Sequence, residues 1–383
     1  MGVFYPIKYL SGRGNSIHLV CLSEEYNPQG IDYLKNHCKL EIIPHSKKPT
    51  FRGAFYSLFS DIPYEIKRFH SKYVLEFVKH ILATNTYDII QVEGIHTAFY
   101  GLEIKKEWDI PVVMRAHNIH SMNLHRFIPR LKNPLLKLYL SIEANKVKKY
   151  EITASQKFDR VLTVSEVDKQ LLHSWNEKIR CDVVEAGVDV EKYSLEYNDE
   201  EKNTILWMGA LQWKPNQDSL LWFIQDILPG IIRKKPEVKV FVVGSNPPKK
   251  ISRLRHPNVE IVGTVDDVKP YLKRTEVCVV PLRIGSGIRL KILEMLSMGK
   301  AVVSTSVGCE GLPVIHGEHL LIADEPDKFA DAMLKLLNSR DMRRELGDNG
   351  HELVKDQYSW SRISEKLERI YLEIIDERKG IRT

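Results

Sequence analysis

The chain has 383 residues, 43% of them apolar and 28% charged, with 21 Gly and 18 Pro. This is an ordinary globular composition, long enough for two domains, and it excludes collagen-like, coiled-coil and disordered classes. The net charge of +6 is shared between the two halves of the chain, and no nucleic-acid partner is expected.

Five cysteines (Cys21, Cys38, Cys181, Cys278, Cys309) are scattered without a C-x-x-C pair. That argues against a disulfide framework or zinc knuckle and for a reducing compartment. No apolar run approaches the ~18–20 residues that a membrane span needs, and no signal peptide opens the chain. A cytoplasmic location is expected.

In chain order, the first element is unusual. Residues 1–10 run through 11–15, a helix stop with two glycines, straight into a strand over 17–22. A doubly wound domain opens on a buried strand that feeds a loop and a helix. The N-terminal domain is therefore expected to lack its first strand and loop. Further β-branched runs predict strands over 40–43, 88–92, 111–115, 160–164 and 182–185, then 204–208, 238–243, 259–262, 277–280, 301–305 and 320–323. Between them, apolar residues at i, i+3 and i+4 predict helices over 62–83, 97–107, 120–157, 216–234, 268–274, 289–298, 326–338 and 360–378. Strand and helix alternating in this way predict parallel sheets with helices on both faces. Twelve strands divide more naturally into two doubly wound, Rossmann-like domains facing a cleft than into one sheet. The polar stretch 193–203 is the expected linker. It separates an N-terminal domain over 1–192 from a C-terminal one over 204–358, with a final helix over 359–383 packing back on the first domain.

From Arg115 to Lys149 there are eight basic residues and one acid, Glu143, interleaved with Phe127, Leu131, Leu135, Leu136, Leu138, Tyr139 and Leu140. Such a segment reads first as a solvated helix face opposite a core stripe, and as an alternative suits an anionic membrane surface.

The strongest chemical signal lies in Pro281–Thr305. A buried strand is followed by Gly285-Ser286-Gly287 and then by an apolar helix beginning near Arg289. Open α/β sheets bind ligands outside the carboxyl ends of their strands, and helix-start amides attract phosphate. Arg289 and Lys291 oppose the helix dipole, which an anion bound at the turn would explain. Glu294, one turn on, is placed to accept hydrogen bonds from ribose hydroxyls. Leu290 stands where a dinucleotide fingerprint needs its third glycine, so hydride transfer becomes a minor alternative. A second strand ends in Gly209, and its loop brings Trp213 and Lys214 to a helix start. A third offers Gly263, Thr264 and Val265. In the first half, Arg115, His117 and Asn118 end one strand and Glu93 ends another, placing an acid/base or hydroxyl-orienting group at the rim. His117 and His120 lack further ligands in sequence, and no Asp-x-Asp occurs, so no metal is expected.

These residues resemble a known family. RAHNIH, FDRVLTVSEVD, AGVDVEKY, WMGALQWKPNQD, GTVDDVKPYL, GSGIRLKILEM and STSVGCEGL stand in the order seen in family-4, retaining, GT-B-fold glycosyltransferases of the bacterial surface-polysaccharide type. The resemblance implies a nucleotide-sugar donor held by Gly209, Lys214, Val265, Arg283, Gly285, Ser286, Gly287, Ile288, Arg289, Lys291 and Glu294. It implies catalytic roles for His117, Lys214 and Arg289, and an acceptor side at Glu93, Arg115, His117 and Asn118. Glu294 matches the second glutamate of the family's E-x7-E motif, while Ser286 stands at the first. Ala186 stands where the family usually has Asn. The expected acceptor is a saccharide, lipid-linked, reached from a peripheral position on the membrane, with no cofactor. Alternatives are a nucleotide-sugar epimerase of the same fold, and an inactive nucleotide-sugar-binding protein.

Overall fold

The computed structural model describes residues 2–23, 28–45, 50–195, 200–285 and 287–380. The chain forms two compact units, one of residues 1–185 with 360–383 and one of residues 186–359. All twelve strands expected from the sequence are present.

In the first unit the strands are β1 (His18–Leu22), β2 (Lys39–Ile43), β3 (Ile90–Glu93), β4 (Val112–Ala116), β5 (Arg160–Thr163) and β6 (Cys181–Val183). They form two parallel sheets, β1-β2 and β3-β4-β5-β6. Among the described residues no strand joins the two sheets. A groove of about 670 Å³, bordered by Ile17–Leu19, Ile89, Gln91, Glu93 and Tyr371, lies where the first strand of a doubly wound sheet would run. Side chains alternate across each strand. Val112, Met114, Ala116 and Val161 meet Val92, Ala154, Phe158 and Leu172 on one face, and Val113 and Leu162 meet Tyr5, Leu10 and Trp360 on the other. That second face is covered by helices Phe4–Gly12 and Trp360–Lys379. The latter presents Trp360, Ile363, Leu367, Ile370 and Ile374, a stripe at helical spacing. Leu367→Ala is expected to cost about 2–5 kcal/mol, read as a lower urea midpoint for the first unit. An unchanged midpoint would mean that the helix contributes little to its fold.

The second unit contains β7 (Glu201–Met208), β8 (Lys239–Val243), β9 (Val259–Gly263), β10 (Thr275–Val280), β11 (Ala301–Ser304) and β12 (Leu321–Ile322). Its single parallel sheet runs β12-β11-β10-β7-β8-β9. This is the Rossmann order, and the strand order reverses between β7 and β10. Ile205, Trp207, Val277 and Val279 enter the core on one face. Leu206, Met208, Cys278 and Val280 enter it on the other.

The unit boundary differs from the expected one. The chain passes between units at Glu185/Ala186 and Ser359/Trp360, because Val188 and Tyr193 are packed in the second unit's core. The polar stretch 193–203 is not a free linker in its described part. Ser297 donates to the Tyr193 carbonyl at 2.6 Å, Glu200 pairs with Lys300 at 2.9 Å, and β7 already starts at Glu201. Glu200 also pairs with Arg343 at 3.2 Å, and Glu201 with Arg274 at 3.0 Å, so the described end of the stretch is tied into the second unit.

Three expected helices are interrupted, each for a local reason. Residues 62–83 divide into Tyr64–Lys67 and Lys72–Thr84, because Ser71 takes extended backbone and caps Val74 N. Residues 120–157 divide at Pro129 and Pro134, with Asn133 capping the long helix Pro134–Ser155. The helix expected over 216–234 starts at Lys214 and widens into a π turn over Phe223–Ile227, beside Pro229, which has no N–H to give the ladder. Helix Arg340–Gln357 was not expected, because Gly347 and Gly350 interrupt its pattern. Gly347 is required by packing: a Cβ there would lie 2.1 Å from the Gly299 carbonyl oxygen. No described helix is long and apolar enough to cross a membrane.

Candidate active site

In the second unit the loops after β7 and β10 meet at the strand-order switch point. The β10 loop is anchored to the end of β11. Thr305 Oγ1 donates to the Leu282 carbonyl, Ser304 Oγ donates to the Val280 carbonyl at 3.2 Å, and Gly308 N donates to Thr305 Oγ1 at 2.9 Å. These β11 residues were not among the expected site residues. Their signal was the STSVGCEGL stretch, in which Glu310 is the one charged residue.

Arg289 stands at the N-cap of helix Leu290–Ser297, one residue before the expected helical turn, and among the described residues no side chain caps that helix start. Arg289 is buried and folds back over the turn, donating to the carbonyl of Gly287 and to that of Val307 at 3.4 Å. Gly285 (φ 146°) makes room for it, since a Cβ there would lie 2.5 Å from Arg289 Nη2. Lys291, in the first helical turn, reaches across to β7. Its Nζ donates to the Met208 carbonyl at 3.0 Å and lies 5.2 Å from the Trp207 ring centroid. Burial, and then the charge of Arg289, lower its ammonium pKa to about 7. Glu294 is buried one turn further on, and burial raises its carboxyl pKa to about 7 against a hydrogen bond from Tyr193. An arginine, a lysine and a glutamate thus share one turn of chain at the carboxyl end of the sheet.

The other expected donor residues are disposed differently. Lys214 opens helix Lys214–Trp222 on the surface, with Nζ 3.2 Å from Gln217 Oε1. Gly209 N donates to the Val243 carbonyl at 3.0 Å, which fixes the loop after β7. Val265 and Ile288 are half-buried against the apolar core. Arg283 is turned to Asp218 in a two-pronged ion pair at 2.7 and 3.0 Å, stacked 4.9 Å from Trp222. Its guanidinium is held by the fold. Ser286 lies outside the described residues.

In the first unit Glu93 ends β3 and His117 follows β4, with His117 Nε2 2.6 Å from Glu93 Oε2. Gln91 Nε2 donates to Glu93 Oε1 at 2.6 Å, and Tyr371 Oη donates to Gln91 Oε1. A carboxylate so anchored fixes the imidazole's orientation, an arrangement suited to binding a hydroxyl or moving a proton. Asn118 is exposed beside the pair. Arg115 corrects the sequence reading. It is fully buried and not at the rim, because strand alternation puts it on the same face as Val113. There it donates to the Gly2 carbonyl at 3.2 Å and lies 6.0 Å from the Trp360 ring. A second cluster, Glu65, His96 and His120, stands just beyond these strand ends, with Glu65 Oε2 2.9 Å from His120 Nε2.

Comparison with known proteins bears on the family and the fold. A family profile described as Glycosyltransferase Family 4 matches residues 3–192, and one described as Glycosyl transferases group 1 matches residues 202–339. The chain is 29% identical over 360 residues to an uncharacterised glycosyltransferase of Methanocaldococcus jannaschii, covering 90% of this chain and 88% of that one. It is 23% identical over 379 residues to a 44.6 kDa protein in the cps region of Klebsiella pneumoniae, covering 95% and 93%. Anabaena HepE, solved in complex with UDP, shares the fold with a TM-score of 0.66 at 13% identity, covering 94% and 100% of the two chains.

Proposed function

The chain belongs to the family 4 glycosyltransferases, and on that premise we propose that it serves surface-polysaccharide synthesis and moves a sugar from a nucleoside diphosphate sugar to a hydroxyl acceptor with retention at the anomeric carbon. The observation that carries the donor half is the buried Arg289–Lys291–Glu294 group at the switch point of the second unit. The UDP complex of a protein of like fold supports a nucleoside diphosphate as its ligand.

In the reaction, the bond between the anomeric carbon and the diphosphate oxygen breaks through an oxocarbenium-like transition state. The acceptor oxygen bonds to that carbon, and its proton leaves with the diphosphate. Negative charge grows on the leaving group, where Lys291, Arg289 and the amides of the uncapped helix start would bind it, with Lys214 as an outer cation. Glu294 would accept from the ribose hydroxyls. Because the chain has no Asp-x-Asp clamp, these protein cations are assigned the charge that a divalent ion would otherwise carry. Glu93 and His117 are assigned to the sugar and acceptor hydroxyls. Release of nucleoside diphosphate that depends on an added acceptor, with no epimerised donor formed, is the test. Donor epimerisation without an acceptor would instead favour the epimerase, and donor binding without turnover on any acceptor the inactive form.

The lipid-linked acceptor rests on a surface of the first unit. Leu135, Leu138 and Ile142 of helix Pro134–Ser155 are exposed, as are Phe55, Tyr56 and Phe59 of the neighbouring segment, which is joined to that helix by the Lys146–Ser57 hydrogen bond at 2.6 Å. Lys132 and Lys137 add positive charge to the same stretch. An apolar patch with a basic border fits an anionic bilayer surface. The protein is expected to float with vesicles of phosphatidylcholine and phosphatidylglycerol, and the pair Phe59→Asp and Leu138→Asp to abolish this. Equal flotation of the variant would remove the membrane from the account.

A further inference from the structure

We infer that Glu65, His96 and His120 form a binding site for a divalent transition-metal ion, best suited to Zn2+, that pins together the loops at the carboxyl ends of β3 and β4. The three residues come from three elements: helix Tyr64–Lys67, the 3-10 turn Ile95–Thr97 and helix His120–Phe127. Their ligating atoms all lie within 4.8 Å of one another. Glu65 offers one carboxylate oxygen to each imidazole, Oε1 at 3.7 Å from His96 Nε2 and Oε2 at 2.9 Å from His120 Nε2.

Zinc bonds of about 2.0–2.2 Å at tetrahedral angles set neighbouring ligand atoms about 3.3–3.5 Å apart. The three ligand atoms, one from each residue, lie within 4.8 Å of one another, so an ion would draw them together by side-chain shifts of about 1 Å. Two imidazoles and one carboxylate are a zinc ligand set that leaves a fourth position for water. They are a poor set for Mg2+ or Ca2+, which take oxygen ligands.

The surroundings hold the ligands in place. The backbone amides of His120 and Ser121 donate to the buried Glu151 carboxylate at 2.6 and 3.0 Å, which fixes the start of the helix that carries His120. The Phe69 ring stands edge-on to His96 at 5.0 Å. Glu65 and His96 remain partly open to solvent, with 39% and 30% of their side chains exposed, which gives the ion a way in.

Two residues separate His96 from Glu93, and two separate His120 from His117. An ion held here would fix the chain segments that carry the Glu93–His117 pair, which gives it a positioning role. This inference does not depend on the donor site of the second unit.

The test is titration of Zn2+ into the metal-stripped full chain, against a chromophoric chelator, with thermal melting in parallel. Saturable uptake of one equivalent is expected, together with d–d absorption of a tetrahedral site when Co2+ replaces Zn2+. The melting temperature should rise by about 5 °C or more at ~100-fold excess over the dissociation constant, with no rise in Mg2+. Glu65→Gln and His96→Asn should each weaken uptake at least ~10-fold and cancel the shift. His256→Asn, in the second unit, should change neither. Failure of the wild-type chain to take up Zn2+, or uptake that survives both Glu65→Gln and His96→Asn, would overturn the site. Neither outcome would bear on glycosyl transfer.

Discussion

Exchanging Lys291 for methionine is expected to lower glycosyl transfer about 100- to 1000-fold and leave the second unit at least as stable as the wild type below pH 7. The loss follows from position. The Lys291 ammonium reaches from the turn after β10 to the carbonyl that ends β7, the junction where a doubly wound sheet binds its ligand. The retained stability follows from burial, which drives the lysine pKa from 10.5 down to about 7. Between those values the unfolded chain binds a proton that the folded chain does not, so this group makes stability rise with pH, and below about 7 its burial cost is complete. Methionine removes that cost while filling a similar volume, and the lost hydrogen bond to Met208 offsets part of the gain. Glu294 acts with the opposite sign. Its folded pKa is raised from 4.5 to about 7, so the stability it contributes is lost as pH rises through that window. Together the two groups place a local minimum in the stability of the ligand-free unit near pH 7. A bound diphosphate would favour the charged lysine, so donor KM should rise above about pH 7 in the wild type and lose that dependence in Lys291→Met. Full activity of Lys291→Met would remove this residue from the reaction.

The second large effect is expected at His117. His117→Ala should reduce the turnover number by about 100-fold or more and leave nucleoside diphosphate affinity unchanged, because the cations proposed to hold the donor belong to the other unit. Glu93→Gln should fall between the two, since it keeps a hydrogen-bond partner for the imidazole but removes the charge that holds it at 2.6 Å. Steady-state kinetics with parallel calorimetry separates these effects. A His117→Ala enzyme with normal turnover would reduce the pair to a structural contact. One that lost nucleotide affinity in proportion to turnover would place His117 on the donor instead.

Much of this architecture is legible in the sequence because a parallel sheet buried on both faces needs near-continuous apolar runs rich in β-branched residues. Strands such as β8 (KVFVV) and β11 (AVVS) show this directly. Helix Arg340–Gln357 was hidden because its close packing requires glycines, which read as helix breakers. The unit boundary was hidden because Glu200 is answered by Lys300 and Arg343, and the Tyr193 carbonyl by Ser297, all far along the chain. At the donor site the glycine turn, Arg289, Lys291 and Glu294 are local in sequence, so composition and helix geometry suffice to find them. What they do not reveal is that Arg283 is claimed by Asp218, a contact 65 residues away. Arg115 was misplaced because residue type outweighed strand parity. The Glu65–His96–His120 cluster gave no signal, since its ligands lie on three separate elements that only the fold brings together.

The central claim is that Lys291 and Arg289 hold a diphosphate at the turn after β10. Calorimetric titration of UDP and GDP, each into wild-type and Lys291→Met protein at pH 6.5, tests it most directly. The account predicts saturable binding of at least one nucleotide to the wild type, weakened about 100-fold in the variant. Equal affinity in the two proteins would contradict it.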